Sequence, residues 1–284
     1  MISKQILCNG HTLHAVVTPN ERPPLLMLHG VTRRWQTFLP LWSSLAERWQ
    51  IHALDFRGHG ESDKTAGRYH VCDYIEDVVA YIDSELQQSV AVYGHSLGAM
   101  VAAGVASELG DGIAAVVMED PPMQAMGQRI GDTSLLSFFT AISEFASDRR
   151  SVFAIAEDLA EIRIHDPQRN TSNRLGDLRD PVSLRFTASC LKQLDPETLG
   201  PIVARDWLRG YDVESVARNL KCPSLLLQAD TTAGGMLSDE DAALLEDLAA
   251  DLVRVKIQDC GHLIHWTHTI QLLNFVHGFL ESSV

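Results

Sequence analysis

The chain has 284 residues, with 37 Asp+Glu against 23 Lys+Arg and a formal net charge of −14 at pH 7. That acidity disfavours nucleic acid and anionic membrane surfaces as partners, and the length suits one large domain carrying an insertion. No apolar run is long enough to span a bilayer, and residues 1–20 lack the basic start and apolar core of a signal peptide, so the expectation is a cytoplasmic protein. The five cysteines, Cys8, Cys72, Cys190, Cys222 and Cys260, are odd in number and contain no C-x-x-C pair, which argues against a disulfide framework or a zinc site.

In chain order, Ile6–Cys8 and Thr12–Val17 flank Asn9-Gly10, a dipeptide whose positive dihedrals suit a two-residue hairpin. Apolar runs follow at Leu25–Leu28, Ile51–Leu54, Val90–Tyr93, Ile113–Met118, Leu225–Gln228 and Leu252–Ile257, most of them separated by stretches of helical spacing. This alternation predicts an eight-stranded, mostly parallel sheet with helices on both faces, opened by an antiparallel hairpin. Ligands of such sheets bind beyond the carboxyl ends of the strands. Residues 123–210 break the rhythm. Leu135, Phe138, Phe139, Ile142 and Phe145 have helical spacing and no run suits a strand, so the segment reads as a helical cap inserted after the sixth strand. Residues 1–122 and 211–284 then form the core. The cap holds eleven basic residues, ten of them arginine, and twelve acidic ones, so the negative charge lies almost entirely outside it.

Gly94-His95-Ser96-Leu97-Gly98 follows the fifth predicted strand and precedes a helical stretch. This is the context of a G-x-S-x-G nucleophile elbow, where a serine stands on a strained strand-to-helix turn. A serine hydroxyl is a poor nucleophile at neutral pH and needs an imidazole to take its proton and a carboxylate to orient that imidazole. His262, after Asp259-Cys260-Gly261 and the last predicted strand, has the best context for the imidazole. Two aspartates end strands and compete for the third role: Asp120, held before Pro121 in a backbone that should be extended, and Asp230. Leu97 N–H is one expected oxyanion donor and Val31 N–H, in the His29-Gly30-Val31-Thr32 loop after the third strand, is the other. His262, His265 and His268 recur at three-residue intervals, but a histidine placed for proton transfer cannot also ligate zinc, so neither a metal nor a cofactor is expected.

Leu28-His29-Gly30, Asp55-Phe-Arg-Gly-His-Gly-Glu-Ser62, Gly94–Gly98 and Gly261-His262 resemble, in order and spacing, the sequence blocks of the α/β-hydrolase superfamily with a cap domain. Most members carry the acid after the seventh strand in a pattern like Gly-Asp-x-Asp, and here Ala229-Asp230-Thr231-Thr232 puts threonine at that aspartate's place. A minority, including zearalenone lactone hydrolases and (E)-2-(acetamidomethylene)succinate hydrolase, resembles this chain in placing it after the sixth strand. The resemblance thus favours Asp120, with Asp230 as the alternative. It implies acyl transfer through Ser96 on a small ester, lactone, amide or carbamate enclosed by the cap, and the ten cap arginines against one lysine suit a substrate that carries a carboxylate. A C–C bond hydrolase or lyase of the same fold, or a slow-turnover small-molecule binding protein or receptor, are the rival readings. The sequence does not specify the oligomeric state.

Overall fold

Asn9 and Gly10 both take positive φ, 50° and 83°, and close the hairpin between β1 (Ile2–Cys8) and β2 (His11–Val17). The computed structural model describes residues 1–127 and 129–284. After the hairpin come β3 (Pro24–Leu28), β4 (Gln50–Asp55), β5 (Val90–His95), β6 (Ile113–Glu119), β7 (Arg163–Asp166), β8 (Thr171–Arg174), β9 (Ser224–Gln228) and β10 (Leu252–Lys256). Eight of them form one sheet in the order β1-β2-β4-β3-β5-β6-β9-β10. Pairing is antiparallel from β1 through β2 to β4 and parallel for all other neighbours.

Period-two alternation divides the sheet's side chains between two cores. Leu26, Leu28, Val90 and Val92 pack on the face covered by helices Val71–Glu85 and Leu97–Leu109. Leu25, Met27, Ala91 and Tyr93 pack on the opposite face, under helices Leu39–Ala46 and Thr269–Ser283. Because both faces are covered, these strands read in the sequence as continuous apolar runs. From β3 the chain turns first to β4 on one side and then to β5 on the other, which opens a crevice at the carboxyl ends of β3 and β5.

Between β6 and β9 the chain leaves the sheet and forms, among other elements, helices Ser134–Ser143, Val152–Glu161 and Pro181–Leu191. It also forms a small antiparallel hairpin from β7 and β8, where the sequence pattern suggested no strand. The two segments, Arg-Ile-His-Asp and Thr-Ser-Asn-Arg, bury only Ile164, so they lack the apolar alternation that marks a strand. Asn170, at φ 49°, supplies the turn.

Burial depresses the pKa of four histidines: His52 to about 4, His59 to about 3, His29 below its ordinary range and His95 far below it. His14 goes the other way. Against the cost of its burial, the hydrogen bond and charge of Asp55 raise its pKa. Below pH ~6.5 the unfolded chain therefore binds more protons than the folded one at the four depressed histidines, and stability falls as pH drops, whereas the contribution of His14 is complete there and is lost only as pH rises above ~6.5. Urea midpoints measured at pH 7.5, 6.0 and 5.0 should decrease in that order. A midpoint at pH 5.0 equal to that at pH 7.5 would refute this account.

Candidate active site

Ser96 sits at φ 56°, ψ −117° between β5 and helix Leu97–Leu109. The turn is tight enough that a Cβ on Gly94 would lie 2.1 Å from Gly98 O, and one on Gly98 would lie 1.9 Å from Leu28 O. No side chain fits either position, which is why the two glycines flank the serine at this spacing. Ser96 N–H donates to Glu119 O at 2.9 Å, so β6 braces the elbow from the side.

Asp120 is fully buried and takes φ 44°. The extended backbone expected before Pro121 is therefore wrong. Long-range contacts override the local preference: Asp120 Oδ1 accepts from Ala229 N–H (3.1 Å) and Leu237 N–H (3.3 Å), and Oδ2 from Met236 N–H (2.8 Å). Oδ2 also meets His262 Nδ1 at 2.7 Å. An ionised carboxylate only accepts, so the imidazole carries its proton on Nδ1 and leaves Nε2 as a base. Asp230 is occupied elsewhere. It caps the turn Thr231–Ala233, accepting from Thr232 N–H (2.8 Å), Thr232 Oγ1–H (2.7 Å) and Asp259 N–H (3.2 Å). These bonds, led by the Thr232 hydroxyl, hold its pKa below the usual carboxylate range.

The loop after β3 is stiffened by neutral histidines. Thr32, at φ 65°, donates its N–H to His59 Nε2 (3.2 Å), while His59 Nδ1–H donates to Arg57 O (2.9 Å). His29 Nδ1–H donates to Gly30 O (2.8 Å) and His29 Nε2 accepts from Phe56 N–H (3.1 Å). Among the described residues, the N–H groups of Val31 and Leu97 donate to no other protein group.

Ser96, His262, Val31, Arg33 and Arg179 line one inner cavity of ≈ 40 Å³. Phe138, Arg179, Met236 and His262 are shared with an outer cavity of ≈ 330 Å³ beneath the β7–β8 hairpin. Arg33 had no signal in the sequence beyond its place two residues after Val31. Its Nη1 donates to Thr187 Oγ1 at 2.9 Å, and its guanidinium lies over the rings of Phe186 and Trp266. Burial pushes Arg33 down to about 10, and the Arg179 charge pushes the same way. Burial likewise lowers Arg179. Neither guanidinium forms an ion pair among the described residues, whereas Arg129, Arg150, Arg169, Arg174 and Arg209 all do. Two half-buried cations beside one cavity, neither ion-paired among the described residues, are chemically suited to receive an anion.

Behind this cavity, the ligand atoms of His95, Glu119 and His265 lie within 4.8 Å of one another. Among the described residues their ring nitrogens and carboxylate oxygens are engaged with protein groups except His95 Nδ1, which has no partner. His265 Nδ1 meets Glu119 Oε1 (2.8 Å) and Oε2 (2.9 Å), and His95 Nε2–H donates to His262 O (3.0 Å). His268, the third histidine of the sequence repeat, is outside the cluster and bonds to Thr267 Oγ1 at 3.1 Å.

A family model described as alpha/beta hydrolase fold matches residues 23–269. The chain belongs to the α/β hydrolase fold family. The resemblance read from four sequence blocks thus holds across the chain. Among curated proteins this α/β hydrolase is similar to 2-(acetamidomethylene)succinate hydrolase of Mesorhizobium japonicum, at 24% identity over 289 residues covering 99% of this chain and 96% of that one. It is also similar to N-formylmaleamate deformylase of Pseudomonas putida, at 22% identity over 268 residues covering 92% and 90%. Two solved structures share the fold. E-2-(acetamidomethylene)succinate hydrolase gives a TM-score of 0.79 at 21% identity, with 99% of each chain covered. The enol-lactonase from Burkholderia xenovorans LB400 gives 0.73 at 17%, with 98% and 100% covered. No helix among the described residues of this α/β hydrolase is long and apolar enough to cross a membrane.

Proposed function

We propose that this chain is a serine hydrolase that removes a short acyl group from a small carboxylated amide or ester. The observation that carries the reading is the His262 Nδ1–Asp120 Oδ2 contact at 2.7 Å, in a site whose cavity Ser96 shares with two unpaired arginines. His262 Nε2 takes the Ser96 proton as Oγ attacks the carbonyl, and Asp120 fixes the tautomer and stabilises the imidazolium. Val31 and Leu97 N–H groups receive the oxyanion, each contributing on the order of 3 kcal/mol to barrier lowering. His262 then protonates the leaving amine or alkoxide, and water releases the acyl group by the same steps.

Size and charge narrow the substrate. The ≈ 40 Å³ inner cavity is small, which favours a short acyl group. The ≈ 330 Å³ outer cavity, bordered by Arg179, suits the larger carboxylated part. The names of the two curated relatives, a 2-(acetamidomethylene)succinate hydrolase and an N-formylmaleamate deformylase, describe substrates of this kind. Formyl and acetyl amides of small dicarboxylates should be turned over with kcat/KM about 10²-fold above their neutral analogues, and butyryl counterparts should be poor. Arg33→Gln and Arg179→Gln should each erase most of that preference, since losing one partner of a desolvated charged pair costs about 2–5 kcal/mol. Equal rates on neutral and carboxylated analogues, or faster cleavage of a ring-cleavage diketone than of any amide or ester, would overturn the reading.

A further inference from the structure

Glu119 is fully buried at the end of β6, one residue before Asp120, and His265 is fully buried three residues after His262. Glu119 Oε1 accepts His265 N–H at 2.9 Å, both its carboxylate oxygens meet His265 Nδ1, and Tyr93 OH donates to Oε2. The far side of the His265 ring is held as well: Nε2 bonds Thr37 Oγ1 at 2.9 Å, and the neighbouring Trp266 Nε1–H donates to Thr37 O at 2.9 Å. His95 stands between the two histidines, with ring centroids 4.6 Å from His262 and 4.8 Å from His265, and its Nε2–H holds the His262 carbonyl. Successive side chains of a strand point to opposite faces. The left-handed turn at Asp120 breaks that alternation, so two consecutive carboxylates reach the same 262–265 segment.

We propose that Glu119 and His265 are a second carboxylate–histidine pair that positions the first, a role that rests on the assignment of His262 as the catalytic base. Asp120 orients the imidazole of His262. Glu119 anchors the segment that carries it, through the His265 main chain and ring, and His95 ties the His262 carbonyl to the elbow strand. A fully buried carboxylate–histidine pair adds little net stability compared with apolar residues of the same volume, so stability alone does not explain it. Placement does, because a displacement of about 1 Å between base and nucleophile can cost ~10²-fold in rate.

The test uses Glu119→Gln, His265→Leu, the double variant and His265→Asn, whose amide N–H stands in for Nδ1–H. Each is assayed on the best amide of the substrate panel and for the rate of fluorophosphonate labelling at Ser96. The pairing predicts that Glu119→Gln and His265→Leu each lower kcat by about 10–100-fold with KM within about twofold, and that labelling slows in step. The double variant should be no worse than the poorer single, and His265→Asn should recover most of the loss. Wild-type kcat in folded Glu119→Gln, a rise in KM that accounts for the whole effect, or multiplicative losses in the double variant would overturn the pairing alone. If Glu119→Gln does not fold, His265→Leu against His265→Asn decides, and equal activity of those two overturns it. No labelling of the wild type at Ser96 would defeat the assignment of the triad itself.

Discussion

Ser96→Ala is expected to lower kcat by ~10⁴-fold or more and to abolish covalent labelling by a fluorophosphonate. The physical basis is that Ser96 brings its hydroxyl to the cavity wall shared with His262, at the strained turn where β5 meets its helix. The residual rate of the variant should reflect the oxyanion donors and substrate binding alone. Backbone strain provides a control. At φ 56° alanine is as strained as serine, so Ser96→Ala should melt near the wild-type temperature, whereas Ser96→Gly should be inactive yet more stable, because only glycine adopts this conformation at little cost. Labelling that persists in Ser96→Ala would place the nucleophile elsewhere.

Asp120→Asn should cost on the order of 10⁴-fold in kcat, and the hydrogen bonds explain how. If the amide NH₂ takes the Oδ1 position, it faces two donors, Ala229 N–H and Leu237 N–H. If it takes the Oδ2 position, it faces Met236 N–H and His262 Nδ1, and the imidazole relieves one of these conflicts by moving its proton to Nε2. The second arrangement leaves a single clash, worth about 1–3 kcal/mol of stability, and is favoured. It also yields the tautomer that cannot accept the Ser96 proton. Asp230→Asn keeps an oxygen for Thr232 and should retain kcat within a few-fold, with little lost from the turn. Kinetics of both variants, with thermal melts to confirm folding, decide between the carboxylates. A crippled Asp230→Asn beside a near-wild-type Asp120→Asn would place the acid after β9.

The parts of this molecule that could be read in the sequence are those encoded by near neighbours. Leu25–Leu28 and Val90–Tyr93 are apolar at every position because both sheet faces are covered, and Asn9-Gly10 announces its turn by the dihedrals it tolerates. Gly94 and Gly98 mark the elbow because their missing side chains make room for Gly98 O and Leu28 O. What escaped depends on contacts distant in the chain. The Pro121 rule favoured an extended Asp120, but the donors that hold its carboxylate lie 109 to 117 residues further on. Glu119 looks like an ordinary strand end until His265, 146 residues away, is packed against it. Arg33 stands out only once Arg179, 146 residues further on, is brought to the same cavity. The β7–β8 hairpin was missed because its strands are short and mostly polar.

Met236 divides its labour between main chain and side chain. Its N–H supports the Asp120 carboxylate, while the residue also borders both the inner and the outer cavity. Every amino acid except proline supplies that N–H, so the support survives nearly any substitution that leaves the loop path intact. Gly235 helps to dictate the path, since a Cβ there would come within 2.8 Å of the Ala229 carbonyl. Under the proposed assignment of Asp120 as the acid, Thr232, which also borders the outer cavity, has no part in orienting His262. The segment after β9 can therefore change its cavity-facing chemistry while its backbone goes on holding the carboxylate, which makes it the natural place for this scaffold to acquire new substrates, by selection or by design.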